Sequence, residues 1–304
     1  METIKKQRIA VALRNYCDRY GSQTKAAKAL KMSGTMVSQM LTGDWDKIAD
    51  TQWHTAAAGI GFKEERWEAV ETADFRILTA ILADAQENSL VMAITGAAGS
   101  GKSYACRCFA ETHPGAVVVS CDGYWTRKDL IEEILTVMGE DTAGLTLSGL
   151  TRKAVRRLRM TARPLLILDE ADKLSDRVLN AFITLYNQLE GICGIVLIAT
   201  SHLEKKLISG VRHNKQGYNE IWSRLGRKCV ALTGVTAQDV VLVCQANGVT
   251  DEKTIDSIIA DSDSDLRRVA RRVHAARRKA AARRAAEAKE AKEAKEANQE
   301  GGEA

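Results

Sequence analysis

Residues 90–103 read LVMAITGAAGSGKS, and this stretch decides the fold of the chain. The apolar run 90–94 predicts a short buried β-strand. From Gly96 the sequence then follows the pattern G-x-x-x-x-G-K-S, which is the complete signature of a phosphate-binding loop. The helix-forming sequence YACRCFAET comes next, as the motif requires. A chance glycine-rich turn is the alternative, and the flanking strand and helix argue against it.

Each residue type in this loop predicts a contact with a nucleotide. Gly96, Gly99 and Gly101 allow backbone N–H groups to point inward at phosphate oxygens. Lys102 can reach the β- and γ-phosphates, and the Ser103 hydroxyl can bind Mg²⁺. The cofactors implied are therefore ATP and Mg²⁺. The full set of predicted binding residues is Gly96, Ala97, Ala98, Gly99, Ser100, Gly101, Lys102, Ser103 and Tyr104.

A second apolar run ends in two acids. Residues 165–170 read LLILDE, which is typical of a buried parallel strand followed by carboxylates. Asp169, at the end of this strand, is predicted to lie beside the loop and to hold Mg²⁺ through water. Glu170 is predicted to orient the attacking water as a base.

Strands and helices alternate over residues 90–232, which predicts an α/β fold with a parallel sheet between helices. The predicted strands are 90–94, 116–120, 165–169, 194–200 and 228–232, and the predicted helices are 103–112, 126–139, 148–161 and 175–190. From residue 233 the pattern is helical. The predicted divisions are a helical domain at 1–62, a linker helix at 63–89, the nucleotide-binding core at 90–232, a helical lid at 233–276 and a charged tail at 277–304.

The first 62 residues predict a small all-α domain. Residues 23–41 indicate a helix, a short turn and a second helix, and they resemble the helix-turn-helix of lambda-repressor-like domains. Exposed polar side chains on the second helix could then meet DNA phosphates or base edges. These are Ser33, Thr35, Ser38 and Gln39. A plain helical bundle for protein contacts is the alternative interpretation.

The composition and the apolar runs predict whether the protein is bound to a membrane and in which redox compartment it works. The apolar runs are shorter than the ~18 residues that a membrane helix needs, and the N-terminus lacks a signal-like apolar segment. The seven cysteines form no CxxC pair and are expected to be buried thiols in a reducing cytoplasm. We therefore expect no membrane partner.

Basic residues are concentrated in two places, although the net charge is only +5. Residues 267–284 hold eight Arg and one Lys without an acid, and residues 152–163 hold six further cations. Such patches favour a polyanionic partner. Solvated helical faces are the alternative for each.

The order of these motifs resembles the AAA+ ATPases over roughly residues 70–275. After the loop and LLILDE come the strand end IAT, the sequence SRLGR at 223–227 and SDLRR at 264–268. Within that superfamily the chain is most similar to transposition ATPases of the bacteriophage Mu B type. This resemblance implies ATP-dependent, largely sequence-independent binding of double-stranded DNA as a helical filament of this protein. It also implies delivery of that target DNA to a DDE transposase, which the protein activates.

The AAA+ resemblance suggests three more roles, for which five residues are candidates. Thr200, at the end of the fourth strand, could sense the γ-phosphate or position water, or could simply cap the next helix. Arg224 is predicted to reach a neighbouring subunit's nucleotide, with Arg227 as its competitor. Arg267 is predicted to fold back onto the γ-phosphate from the lid, with Arg268 as its competitor.

Filament-forming relatives hold duplex DNA by loops on an inner surface, which implies a site in the segment after the second strand. The expected contacts are Thr126, Arg127 and Lys128, followed by Arg152 and Lys153 on the next helix. Two other functions remain open. One is a helicase loader or replication initiator on the same fold, and the other is a transcription regulator switched by ATP.

Overall fold

The computed structural model describes residues 3–43, 45, 48–62 and 67–300. It divides into two compact units, Met1–Trp67 and Glu68–Ala304. The predicted linker helix begins later than expected, because residues 67–72 are not helical and a helix starts only at Ala73. Residues 63–66 lie outside the described part of the chain.

The first unit is helical. Its helices are α1 (Thr3–Arg19), α2 (Gln23–Ala29), α3 (Gly34–Thr42) and α4 (Asp50–Gly59). The hydroxyl groups of Ser22 and Ser33 cap α2 and α3 by accepting backbone N–H bonds. Each such cap contributes about 1 kcal/mol to helix stability.

Apolar side chains at helical spacing form the core of this unit. Ile9 and Leu13 are fully buried, as their spacing predicts. Trp53 is fully buried as well, and its ring meets Trp45 edge to face at 5.6 Å. On α3, Val37 and Met40 are fully buried, whereas Leu41 is only partly buried.

The second unit is built on a five-stranded parallel sheet in the order β2-β3-β4-β1-β5. The strands are β1 (Val91–Thr95), β2 (Ala116–Ser120), β3 (Leu165–Asp169), β4 (Gly194–Ala199) and β5 (Cys229–Ala231). All five predicted strands are therefore present. This order places the end of β4 between the end of β3 and the loop after β1.

Eleven helices of the second unit surround the sheet or follow it. They are α5 (Ala73–Glu87), α6 (Lys102–Thr112), α7 (Arg127–Val137), α8 (Leu147–Met160), α9 (Asp176–Leu179), α10 (Ala181–Leu189), α11 (Ser201–Arg212), α12 (Tyr218–Arg224), α13 (Ala237–Ala246), α14 (Glu252–Ser262) and α15 (Leu266–Glu300). The predicted helix 175–190 is thus divided into α9 and α10.

The strands alternate their side chains between two apolar layers. In β3, Leu165 and Ile167 pack with α5 and α6 on one face of the sheet. Leu166 and Leu168 pack with α7, α8 and α10 on the other face. Burial on both faces explains why the strand is a continuous aliphatic run.

The lid has its own core and is tied to the sheet by one buried carboxylate. Valine and isoleucine side chains of α13, α14 and α15 pack together. Asp74, only 2% exposed, accepts bonds from the backbone N–H of Thr233 and Gly234 and from the Thr233 hydroxyl, at 2.8–3.0 Å. The start of α5 therefore fixes the segment that leads into the lid.

Two compositional expectations can be compared with the structure. No helix in the described part of the chain is long and apolar enough to cross a membrane. The seven cysteines are free thiols, of which Cys108 and Cys229 are only partly buried.

Candidate functional site

The phosphate-binding loop joins β1 to α6. Gly101 has φ +90° and precedes the first helical residue, so the backbone N–H groups at the helix start are directed towards the loop. The Lys102 ammonium group donates to the carbonyl oxygens of Gly96 at 2.9 Å and Ala97 at 2.7 Å. Burial lowers the pKa of Lys102, although the nearby charge of Asp169 opposes that effect. An anion in the loop would offset the cost of burying this cation.

The lid contacts the loop directly at Gly99. The Gly99 carbonyl oxygen accepts a bond from the Leu266 backbone N–H at 3.0 Å. A Cβ atom at Gly99 would collide with the Asp265 carboxylate, and φ at this position is +77°. Glycine is therefore required here by its conformation and by the approach of the lid.

The two acids after β3 have different environments. Asp169 is 4% exposed, and its carboxylate accepts the backbone N–H of Glu170 at 2.9 Å. Glu170 has φ +56°, which costs a non-glycine residue roughly 1–2 kcal/mol. Its carboxylate is half-exposed and lies 2.5 Å from the Lys173 ammonium group. The turn thus separates a buried carboxylate from one that is open to solvent.

Thr200 is both a helix cap and the partner of an acid. Its hydroxyl accepts the backbone N–H of His202 at 3.3 Å, which caps α11. The same hydroxyl donates to the Asp172 carboxylate at 2.5 Å. Asp172 belongs to the turn after β3, so this bond joins the ends of two adjacent strands.

The two lid arginines are directed differently. Arg268 pairs with Asp261 at 3.4 Å and with Asp263 at 3.9 Å. Arg267 is exposed, and its positive charge is close enough to help lower the pKa of Lys102. The structure therefore places Arg267 near the phosphate-binding loop and Arg268 within the lid.

The two arginines before β5 also differ. The Arg224 side chain is 20% exposed, pairs with Glu220 at 2.6 Å and bonds the Asn187 side chain at 2.6 Å. It also lies over the Tyr186 ring at 4.8 Å. Arg227 is exposed and makes no ion pair with any acid in the described part of the chain. Arg224 therefore connects α12 to α10, whereas Arg227 has no acidic partner among the described residues that it would have to leave.

Tyr104 lines a cavity beside the loop. The cavity has a volume of about 390 Å³ and lies against α5 and α6. The Tyr104 ring is 43% exposed and lies 6.3 Å from the Phe75 ring. Val70, which also packs on the lid core, completes one wall. The cavity is large enough for a planar base, and its lining combines aromatic and aliphatic side chains with polar ones such as Glu71, Thr79 and Thr112.

The predicted DNA contacts of the core divide into paired and unpaired cations. Lys128 pairs with Glu132 at 3.4 Å, whereas Arg127 is exposed and pairs with no acid among the residues described. Lys153 and the neighbouring Arg157 both pair with Glu140, at 3.1 and 3.0 Å.

Of the three remaining cations of α8, Arg159 donates to the Gln188 carbonyl oxygen at 2.6 Å, and the other two make no ion pair in the described part of the chain. Arg152 and Arg156 are exposed and form no ion pair within the described ranges. They lie four residues apart, so they share one face of the helix. Thr126 caps α7 in a capping box with Asp129, which places a carboxylate at the helix end where a phosphate was expected.

The predicted contacts of the first unit lie around the start of α3. Ser33 caps this helix, Thr35 is exposed, and Ser38 and Gln39 are partly exposed. The buried side of the helix faces the unit's own core, so these polar groups lie on its outer side.

Sequence reasoning missed three residues of the site. Asp172 contacts Thr200, Lys173 contacts Glu170, and Asp265 covers Gly99. The cluster of charged residues in DEADK, residues 169–173, was a signal that the first two belong to the site. Nothing in the sequence indicated the contact of Asp265.

Comparison with known proteins identifies the core. A family described as an AAA domain matches residues 85–207. The chain is 27% identical over 188 residues to the Mu-like prophage FluMu DNA transposition protein B of Haemophilus influenzae. This match covers 61% of the chain and 64% of that relative.

A solved structure, that of a DNA replication initiation factor, aligns with a TM-score of 0.44 and 15% identity. The alignment covers 69% of this chain and 62% of that one. The chain thus spans less than two thirds of the length of either protein. Residues 85–207 match an AAA domain and the chain is similar to a Mu-like transposition protein B, which confirms the predicted resemblance, and the parallel sheet between helices confirms the predicted α/β core.

Proposed function

We propose that this protein is an ATP-dependent, largely sequence-independent DNA-binding ATPase that serves transposition. It assembles as a helical filament on target DNA, delivers that DNA to a DDE transposase and activates the transposase. The observation that carries this proposal is the meeting of Lys102, Asp169 and Thr200 at one edge of the sheet, in a chain related to a transposition protein B. DNA is expected to stimulate hydrolysis.

The residues of the loop fit a magnesium-bound nucleoside triphosphate. The Ser103 hydroxyl and the buried Asp169 carboxylate supply the oxygen donors that Mg²⁺ prefers. Magnesium would neutralise charge on the phosphates when bound. Lys102 would then exchange its two carbonyl partners for phosphate oxygens, and Arg267 would approach from the lid. Tyr104 would contact the base in the adjoining cavity.

Glu170 and Thr200 would orient water for attack on the γ-phosphate. Glu170 is the base, because it is the solvent-facing carboxylate of the turn. The Thr200 hydroxyl donates its proton to the Asp172 carboxylate and accepts the His202 backbone N–H with one lone pair. The hydroxyl can therefore accept a bond from water but cannot donate to a phosphate while that contact persists. This favours water positioning over phosphate sensing.

A neighbouring subunit would complete the site with an arginine. Arg224 was the first choice and stays a candidate, but reaching a neighbour would break its bonds to Glu220 and Asn187. Arg227 has no such bonds to break, and we therefore expect Arg227 to be the residue that reaches across.

DNA would be held through its phosphates. Arg127 with Lys128 beyond β2, and Arg152 with Lys153 on α8, are the proposed contacts of the core. The pairing of Lys153 with Glu140 makes Arg152 the stronger member of that second pair. In the first unit, Ser33, Thr35, Ser38 and Gln39 offer hydrogen bonds to a backbone or base edge.

Electron microscopy of the protein with ATP and random-sequence duplex DNA tests the proposal. We expect regular filaments on any duplex with ATP, and none when ATP is replaced by ADP. A complex with a hexameric helicase in place of filaments would instead favour a loader. Binding confined to one operator sequence would favour a transcription regulator.

A further inference from the structure

The short helix α12 carries Arg227 directly after its last turn. The Gly226 backbone N–H donates to the Ser223 carbonyl oxygen at 3.1 Å. The Arg227 backbone N–H donates to the Trp222 carbonyl oxygen at 2.8 Å. This is the Schellman arrangement, in which the residues after a helix are bonded to its final turn. The backbone of Arg227 therefore follows any displacement of α12.

The other end of α12 is fixed by one buried tyrosine. Tyr218, the first residue of the helix, is 1% exposed, and its hydroxyl donates to the Asp176 carboxylate at 2.7 Å. Its ring packs so closely on α11 that a Cβ atom at Gly210 would collide with it. The ring therefore sets which side of α12 is buried, and the hydroxyl sets where this end of the helix lies relative to Asp176.

Asp176 is itself held in place by its neighbours. Lys206 of α11 donates to the Leu174 carbonyl oxygen, and its ammonium group lies 3.8 Å from the Asp176 carboxylate. Lys215, in the loop before α12, donates to the second oxygen of that carboxylate at 3.0 Å. The hydrogen bonds from Tyr218 and Lys215 lower the pKa of Asp176, so the group is ionised at neutral pH. Helix α12 is thus bonded to a charged group that α11 holds beside the turn after β3.

We propose that Tyr218, through its bond to Asp176, is a positioning residue for Arg227. The hydroxyl holds α12 in the orientation that presents Arg227 to the nucleotide of the neighbouring subunit. Without the hydroxyl the ring stays buried, but this end of α12 can shift, and Arg227 shifts with it. This inference rests on the proposed function, because it takes Arg227 as the residue that completes the neighbour's site.

The test is ATP turnover by a mixture of two variants of the full chain, with duplex DNA present. Lys102→Ala subunits should bind no nucleotide but still supply Arg227, so they act as donors. Arg227→Ala subunits should bind ATP but supply no arginine, so they act as acceptors. Turnover by the mixture above that of either variant alone therefore reports interfaces at which a donor serves an acceptor. Tyr218→Phe is then added to the donor in one sample and to the acceptor in another.

Tyr218→Phe in the donor should lower the recovered turnover about three- to tenfold, because a misplacement of about 1 Å can cost about a hundredfold in rate. In the acceptor the same change should alter the turnover little. Asp176 keeps its bond to Lys215 there, so no buried acceptor loses its last partner. A general loss of stability would not produce this difference between donor and acceptor.

Tyr186→Phe in the donor is the matched control. The Tyr186 hydroxyl also donates to a carboxylate, that of Glu190, at 2.8 Å, and the ring would stay under Arg224 after the change. The recovered turnover should be unaltered. Asp176→Asn in the donor keeps an oxygen that can accept the Tyr218 hydroxyl, so most of the turnover should remain.

The outcomes separate this inference from the proposed function. If the parent mixture recovers turnover but Tyr218→Phe in the donor has no effect, or has the same effect in donor and acceptor, the positioning role is wrong and the arginine supplied by a neighbour stands. If the parent mixture recovers no turnover, the arginine supplied by a neighbour is contradicted, and the positioning role with it. A loss confined to the donor supports both.

Discussion

The hydroxyl group of Thr200 has one proton, and the structure assigns that proton to Asp172. This bond connects the turn after β3 with the end of β4, the two strands that flank the attacking water in the proposed mechanism. The hydroxyl keeps a lone pair for water, and the short bond to Asp172 fixes the direction of that lone pair. Asp172 is therefore a positioning residue for Thr200.

Replacing Thr200 by Val should lower kcat about ten- to hundredfold, because a hydrogen bond to the attacking water is lost. Thr200→Ser should keep most of the activity. ATP turnover measured beside ATP affinity checks this, and affinity should change little. Thr146→Val is the control for helix capping, since the Thr146 hydroxyl also caps a helix, α8, by accepting the backbone N–H of Gly149 at 3.3 Å. A Thr200→Val protein with unaltered kcat would show that the residue only caps α11.

The two arginines before β5 differ in how they contact the neighbouring helices. Arg224 connects α12 to α10 through Asn187 and through the face of Tyr186. Its Nε atom is buried without a hydrogen-bond partner in the described part of the structure. Such a residue stabilises the packing of two helices, and the loop after it presents Arg227 to solvent.

Arg227→Ala should lower hydrolysis by the assembled protein about a thousandfold, with monomer affinity for ATP unaltered. A mixture of Arg227→Ala and Lys102→Ala subunits should recover some activity at shared interfaces. Arg224→Ala should instead lower the free energy of unfolding by about 1–3 kcal/mol, seen in denaturant titrations. Full stability together with lost hydrolysis in Arg224→Ala would instead indicate that Arg224 reaches the neighbouring subunit's nucleotide.

The proposed DNA contacts at the start of α7 and on α8 can be tested by their effect on salt dependence. Arg127→Ala with Lys128→Ala should weaken binding about equally on all duplexes and flatten the salt dependence by about 0.9 in log–log slope per lost phosphate contact. Lys153→Ala with Arg157→Ala removes the same charge, but its cations are held by Glu140. That control should change the slope less. Equal slopes for the two double variants would contradict Arg127 and Lys128 as the principal phosphate contacts.

At the scale of elements, the sequence predicts all five strands because each is a short aliphatic run between polar segments. Periodicity did not predict the division between α9 and α10, because apolar spacing continues across it. The loop, Asp169 and Glu170 could be placed near one another because parallel strands end at one edge. The contacts of Asp172, Lys173 and Asp265 could not, because they depend on side-chain directions set by tertiary packing.

At the scale of the whole molecule, the nucleotide is expected to control the lid and the DNA loop together. The lid contacts the loop at Gly99 and is tied to the core through Asp74. The DNA loop continues from β2, which is paired with β3 up to Asp169. We therefore expect ATP at the phosphate site to stabilise the proposed assembled, DNA-binding form.

The most direct test is duplex affinity, measured by fluorescence anisotropy on two unrelated sequences with ATP, with ADP and without nucleotide. We expect tight and nearly equal binding to both duplexes with ATP, and weak binding with ADP or without nucleotide. Glu170→Gln should bind at least as tightly and hydrolyse very slowly, because it loses only the base. Lys102→Ala should gain nothing from ATP, because the phosphates lose their cation. Affinity that is the same with and without ATP would contradict ATP-dependent DNA binding. Affinity that favours one duplex by more than about tenfold (~1.4 kcal/mol) would contradict sequence-independent binding.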